Sequence, residues 1–155
     1  MSTSDIGHTL HFIAGAPATF DEAGYEALFS GAAIKVGGIV SIGPVSGTNN
    51  IIDVPDLESG WNMGAKGAKT GSVTAVALRE IKSDAGQAAV KAAAQEGEHN
   101  IYSFKIVEPG ASGEVEYITG IAYDWQRNER STTSYAGFTF SIRANYDSVV
   151  ADAPA

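Results

Sequence analysis

The residues whose types and spacing come closest to chemistry lie in Ser59-Gly60-Trp61-Asn62-Met63-Gly64-Ala65-Lys66-Gly67-Ala68-Lys69-Thr70. A glycine-lysine run ending in Thr approaches the phosphate-binding pattern of Gly, four residues, then Gly-Lys-Ser/Thr. That loop wraps backbone N–H groups around a phosphate and leads into a helix N-terminus. Here Ala68 stands where the glycine before the lysine is needed, and the following Gly71-Ser72-Val73-Thr74-Ala75-Val76-Ala77-Leu78 reads as a strand, not a helix. The run is a glycine-rich segment without the phosphate geometry.

General acid–base and nucleophilic chemistry turn most often on histidine, of which there are three. His8 and His11 are three apart in a strand-like stretch, hence on opposite faces and poorly placed to share a metal. His99 follows a helix in a turn. Glu114 and Glu116 share one face of a strand, as on a solvated edge, and nothing supplies an acid/base partner across a cleft. Asp53 and Asp56 lack the dense Asp/Asn/Gly series of a calcium loop. No cysteine occurs, so disulfides and thiolate metal sites are out of reach. Neither a catalytic residue, a metal nor a cofactor is expected, and the chain does not read as an enzyme.

The 155 residues fit one domain, with about 1–8 and 148–155 as flexible or extended termini. Ten basic against eighteen acidic residues give a formal charge of −8, which argues against tight binding to a nucleic-acid backbone. No basic region followed by an apolar stretch opens the chain, so no signal peptide is expected. No apolar run approaches the roughly 20 residues of a membrane helix.

These residues hang on a β-rich framework. Thr9–Ile13 reads as a first strand. Phe20–Gly31 is undecided between an irregular strand and a helical turn. Ile34, Val36, Val40 and Ile42 alternate along one strand, bent at Gly37-Gly38. "NNIIDVP" is a short strand closed by Pro55, and residues 56–69 show no period and read as a long loop. A strand over Thr70–Ile81 follows. One helix is predicted at about 84–96, with Asp84 and Gln87 as a capping box and Gly97 as its stop. Ala85, Ala88, Ala89, Ala92 and Ala93 would form its packed face, with Gln87, Lys91 and Gln95 on the other. Strands follow at Tyr102–Ile106, Val115–Trp125 and Phe138–Tyr146, the second burying Val115, Tyr117, Thr119, Ile121, Tyr123 and Trp125. Gln126–Ser134 joins the last two and carries no assigned role.

Taken in order, the segments "TFDEAGYEAL", "IKVGGIVSIG", "IIDVPDLESGWNMGAKGAKTGSV", "SDAGQAAVKAAAQEGEHNIYSFKIVEPG" and "YITGIAYDWQ" resemble the major tail tube protein of long-tailed, siphovirus-type bacteriophages and related gene transfer agents. The likeness runs from Thr9 to Tyr146. It implies a mainly β fold, an antiparallel β-sandwich or partly closed barrel with one flanking helix and an arm loop at about 54–69 that reaches a neighbouring subunit or ring. It further implies hexameric rings whose inner sheets join into a continuous barrel and stack into a tube. DNA passes through that tube from capsid to host without specific binding. The implied partners are further copies of the chain and the tape measure, tail terminator and tail tip proteins, with no membrane. The implied location is the virion tail, after synthesis in the host cytoplasm. Secretion-type tubes have a similar fold, and a monomeric carbohydrate- or surface-binding β-sandwich module stays open beside the tube reading.

The contact loop would comprise Asp56, Leu57, Glu58, Trp61, Met63, Lys66 and Lys69. Leu57, Trp61 and Met63 have no period to bury them locally, and Trp and Met are enriched in interface cores. Lys66 and Lys69 are candidates to pair with acidic groups on the next subunit. Lumen candidates are the polar strand positions Glu116 and Asp124, with Thr139, Ser141, Arg143 and Asn145, unless these face bulk solvent.

Overall fold

The computed structural model describes residues 7–31, 33–71, 73–95, 97–109 and 113–152. Of the termini expected to be flexible or extended, 1–6 and 153–155 lie outside the described residues. The elements are β1 (Thr9–Ala14), α1 (Glu22–Phe29), β2 (Ile34–Val36), β3 (Ile39–Ile42), β4 (Gly47–Pro55), β5 (Asn62–Gly71) and β6 (Val73–Arg79). Then come α2 (Ala85–Ala93), β7 (Tyr102–Val107), β8 (Glu114–Arg127), β9 (Gly137–Ala144) and β10 (Val149–Asp152).

The main sheet is antiparallel, in the order β2-β1-β7-β8-β9-β6-β3, with β10 on β8. Its two end strands, β2 and β3, are separated in the chain only by Gly37 and Gly38. Three residue steps reach about 11 Å at most, so the sheet curls until its edges nearly meet. Ile34–Ile42, expected as one bent strand, is therefore two strands on opposite edges of the sheet. The Gly-Gly pair makes the corner: Gly38 has φ +73, and a Cβ there would lie 2.5 Å from the Arg79 carbonyl oxygen.

The start of α2 fastens this corner. The Asp84 carboxylate accepts from the Gly37 N–H at 2.8 Å and caps the helix by accepting from the Gln87 N–H at 3.3 Å. Buried Gln87 donates to the Gly37 and Arg79 carbonyls at 2.8 and 2.7 Å and accepts from the Ile81 N–H at 3.1 Å. The expected capping box is thus half present, because the Gln87 side chain serves the sheet edges instead of turning back to the cap. The helix ends at Ala93, not near 96, and Glu96 lies outside the described residues. Its packed face is Gly86, Gln87, Val90, Ala93 and Ala94, while Ala85, Ala88 and Ala92 are exposed. The face is one step off the all-alanine stripe, since a Gly86 Cβ would collide with the Lys35 carbonyl.

The core fills the inside of the curl with Leu10, Phe12, Val76, Leu78, Phe104, Ile106, Ile118, Ala122, Phe140 and Ile142, joined by Val90 of α2. A second cluster lies on the other face, where Tyr25 and Phe29 of α1 meet Val115 and Tyr117 of β8 and Ala151 of β10. There is thus a second helix beyond the single one expected. Asp21 caps it by accepting from the Gly24 N–H at 2.8 Å, and the Tyr25 hydroxyl meets Thr119 Oγ1 at 2.6 Å in the buried sheet face. Both faces of β8 are therefore occupied, not the odd positions alone. At Tyr123–Gln126 a bulge shifts the register, with Asp124 at φ +57, and turns Trp125 onto the core side against Phe138 and Phe140. β9 and β10 run along the same edge of β8, one beside its second half and one beside its first, interrupted at 145–148. Residues 149–152 of the C-terminal stretch are thus extended and paired.

Candidate functional site

The segment expected as a structureless loop is a β-hairpin. β4 and β5 form a separate two-stranded sheet, pairing with each other and with no other strand among the described residues. β5, Asn-Met-Gly-Ala-Lys-Gly-Ala-Lys-Thr-Gly, carries few residues of strand preference, and β4 supplies the ladder that holds it extended. The turn is built by Asp56. Its backbone N–H donates to the Trp61 carbonyl at 3.0 Å, and its carboxylate accepts from the Glu58 N–H at 3.1 Å and from Ser59 Oγ at 2.7 Å. These hydrogen bonds hold the Asp56 carboxyl below the usual carboxylate range. Gly60 takes φ +71, a left-handed position suited to glycine.

Eight strand steps carry the tip about 27 Å from its root, and every β4 residue is exposed. The register puts Ile52 beside Ala65 and Val54 beside Met63 on one face, and Trp61 continues that face past the strand end. Trp61 is 73% exposed, Met63 56%, and Leu57 at the tip fully so. The opposite face carries Ile51, Asp53 and Lys66. At the root, Lys69 Nζ binds Asp147 Oδ1 of the same chain at 2.6 Å, and a Gly71 Cβ would collide with the Ala144 carbonyl at the end of β9.

The structure thus gathers Asp56, Leu57, Glu58, Trp61 and Met63 at the outer half of one projection. It puts Lys66 on the other face and ties Lys69 to Asp147 within the subunit. Ile51, Ile52 and Val54, expected in an ordinary short strand, are exposed parts of the same projection. Their missing signal is combinatorial: "IIDV" looks like core until its partner strand proves unable to bury it.

The second set of expected positions divides. Thr139, Ser141 and Arg143 share the face of β9 away from the core, beside Ala77, Ala75 and Val73 of β6, with Tyr123 and Ile121 of β8 across from Ser141 and Arg143. Glu116 lies on the other face beside Ile106, half-buried, and burial pushes its carboxyl up. Asp124 sits exposed in the bulge, and Asn145 lies just past β9, its N–H donating to the Thr119 carbonyl. Among the described residues no three His, Asp or Glu side chains come together as a metal-binding group, and no helix is long and apolar enough to cross a membrane. Tyr117 is buried, and Trp125 is stacked at 4.9 Å on Phe138, so neither belongs to an exposed aromatic platform.

No protein-family model matches the sequence, and no curated protein matches it. Solved structures do match. A chain of the anti-feeding prophage (AFP) baseplate, determined by cryo-EM and 6-fold symmetrised, aligns with a TM-score of 0.65 at 10% identity over 97% of both chains. The SPP1 tail tube aligns at 0.62 with 14% identity, over 96% of this chain and 78% of that one. The tail of an empty gene transfer agent particle, refined helically with C6 symmetry, aligns at 0.54 with 15% identity, over 81% and 89%. At such identities the likeness is one of fold, and the chain has the fold found in phage and gene-transfer-agent tail tubes.

Proposed function

We propose that this chain is a non-catalytic structural subunit that assembles with copies of itself into stacked hexameric rings, forming a virion tail tube that conducts DNA. The observation that carries this reading is the projecting hairpin. A two-stranded ribbon in water is marginal on its own, and this one exposes Ile51, Ile52, Val54, Leu57, Trp61 and Met63 with no cover from its own domain. Ile52, Val54, Met63 and Trp61 share one face; such an apolar patch marks a protein interface, and in a closed ring each subunit gives its arm to a neighbour and receives another. The neighbouring folds support the same reading, being drawn from a tail tube, a gene transfer agent tail and a baseplate.

Under this proposal the uncovered face bearing Thr139, Ser141 and Arg143 lines the lumen, while Glu116, on the opposite face, does not. Six copies at −8 each carry a formal −48 per ring. Where the carboxylates reach the lumen they keep DNA from adhering during passage, since like charges repel and contact releases few counterions, whereas Arg143 is the one charged residue among the three lumen positions. Virion assembly would also bring contacts with the tape measure, terminator and tip proteins.

Deleting the arm tests the proposal. Replacing residues 51–66 by a two-residue turn removes residues that lie outside both core clusters, so the circular dichroism spectrum stays β-rich while tube growth stops. Tubes of normal length from that variant would remove the arm from the account.

A further inference from the structure

We propose that the row Lys35–His11–Lys105, across the outer face of β2, β1 and β7, is the acceptor for the acidic arm tip of a second copy. The inference rests on the tube reading above and names the surface that receives the arm. The three residues are directly opposite one another, His11 facing Lys35 on one side and Lys105 on the other. With strands about 4.8 Å apart, the two lysine backbones are about 10 Å from each other. His11 stands between them, and among the described residues neither lysine has an ion-pair partner. His11 Nδ1 is buried without a hydrogen bond. In a chain of net charge −8, a row of two lysines without ion pairs is suited to an acidic visitor.

Beside Lys105 lies a shallow concavity lined by Glu26, Phe29, Ser30, Lys105 and Tyr117, with the Lys105 ammonium 6.0 Å from the Phe29 ring centre. Glu26 is the single carboxylate on that lining. The arm tip offers the complementary set. Asp53 and Glu58 are exposed carboxylates with neither a side-chain hydrogen bond nor an ion pair, while Asp56 is committed to the turn. Leu57 is fully exposed, so its side chain is free to enter another surface. In the assembled pair, Leu57 of one copy enters the concavity against Phe29 of the next, and Asp53 and Glu58 lie along the cationic row. Charge supplies register and Leu57 supplies apolar burial.

The test is a charge swap read by tube formation. Lys35→Glu with Lys105→Glu raises the concentration needed for assembly by roughly tenfold or more, with circular dichroism showing that the free subunit is still folded. Asp53→Lys with Glu58→Lys does the same, and the variant carrying all four substitutions assembles again. Because the chain has no cysteine, a mixture of Glu58→Cys and Lys105→Cys proteins should also give an inter-subunit disulfide on oxidation. Wild-type assembly by the lysine variant, or failure of the fourfold variant to recover, overturns the acceptor assignment and leaves the tube intact. Wild-type protein that forms no tube refutes the tube reading and this inference with it.

Discussion

Replacing Trp61 by Ala separates assembly from folding. An aromatic side chain offers about 150–250 Å² for burial, and Trp61 is 73% exposed, so about 150 Å² remains for a partner to cover. At about 25 cal/mol per Å² this is at most about 4 kcal/mol, and ordering the side chain reduces it to about 2–3 kcal/mol. Since about 1.4 kcal/mol is tenfold, the critical concentration for tube formation should rise roughly 30- to 150-fold, as read by pelleting across a concentration series. The subunit should hardly respond, because exposed sites shift stability by about 0.5 kcal/mol or less. Only the Trp61 carbonyl and N–H bond within the turn, and alanine retains both. A variant that pellets like the parent would show that Trp61 is not buried by a neighbour, and one whose denaturation midpoint falls as far as that of a core variant would show that it belongs to the fold.

Three further outcomes follow from the same contacts. Gly86→Ala, a change that ordinarily improves a helix by about 1 kcal/mol, should instead lower the thermal midpoint, because the added Cβ meets the Lys35 backbone. Gln87→Leu should cost about 2–4 kcal/mol in chemical denaturation, since it leaves the Gly37 and Arg79 carbonyls and the Ile81 N–H at the sheet corner without their partner. His11 should titrate below the ordinary imidazole value of 6.5, owing to burial first and then Lys105 and Lys35. Glu26, on α1, is the acidic group that lines the same concavity as Lys105. The unfolded chain then binds the proton more readily than the folded one, so stability falls as pH drops below 6.5 towards the depressed value. His11→Gln should flatten that part of the stability–pH profile, and an NMR titration of the wild-type ring would reveal any opposite shift.

Much of the framework was legible in the sequence, and the exceptions have physical reasons. Period-two alternation located β1, β7, β8 and β9, and Asp84 located the start of α2. The Gly37-Gly38 step hid a change of sheet edge, because local alternation looks the same on a bent strand and on two strands facing different partners. α1 was ambiguous because it is eight residues long and contains Gly24, which packs against Thr19. β5 was invisible because its extension comes from β4 and not from its own composition. The apolar tip residues Leu57, Trp61 and Met63 stood out, having no period to bury them, whereas Ile52 and Val54 became part of the same surface only once the register was known. Lys69 looked available for another subunit until Asp147, 78 residues later, was found beside it.

Cryo-electron microscopy of the purified protein at increasing concentration is the sharpest check on whether this subunit is completed by copies of itself. The expectation is rings or tubes of uniform bore with six subunits per ring, each arm lying on a neighbour. A chain that stays monomeric at high concentration, or tubes whose arms extend freely into solvent, would contradict it.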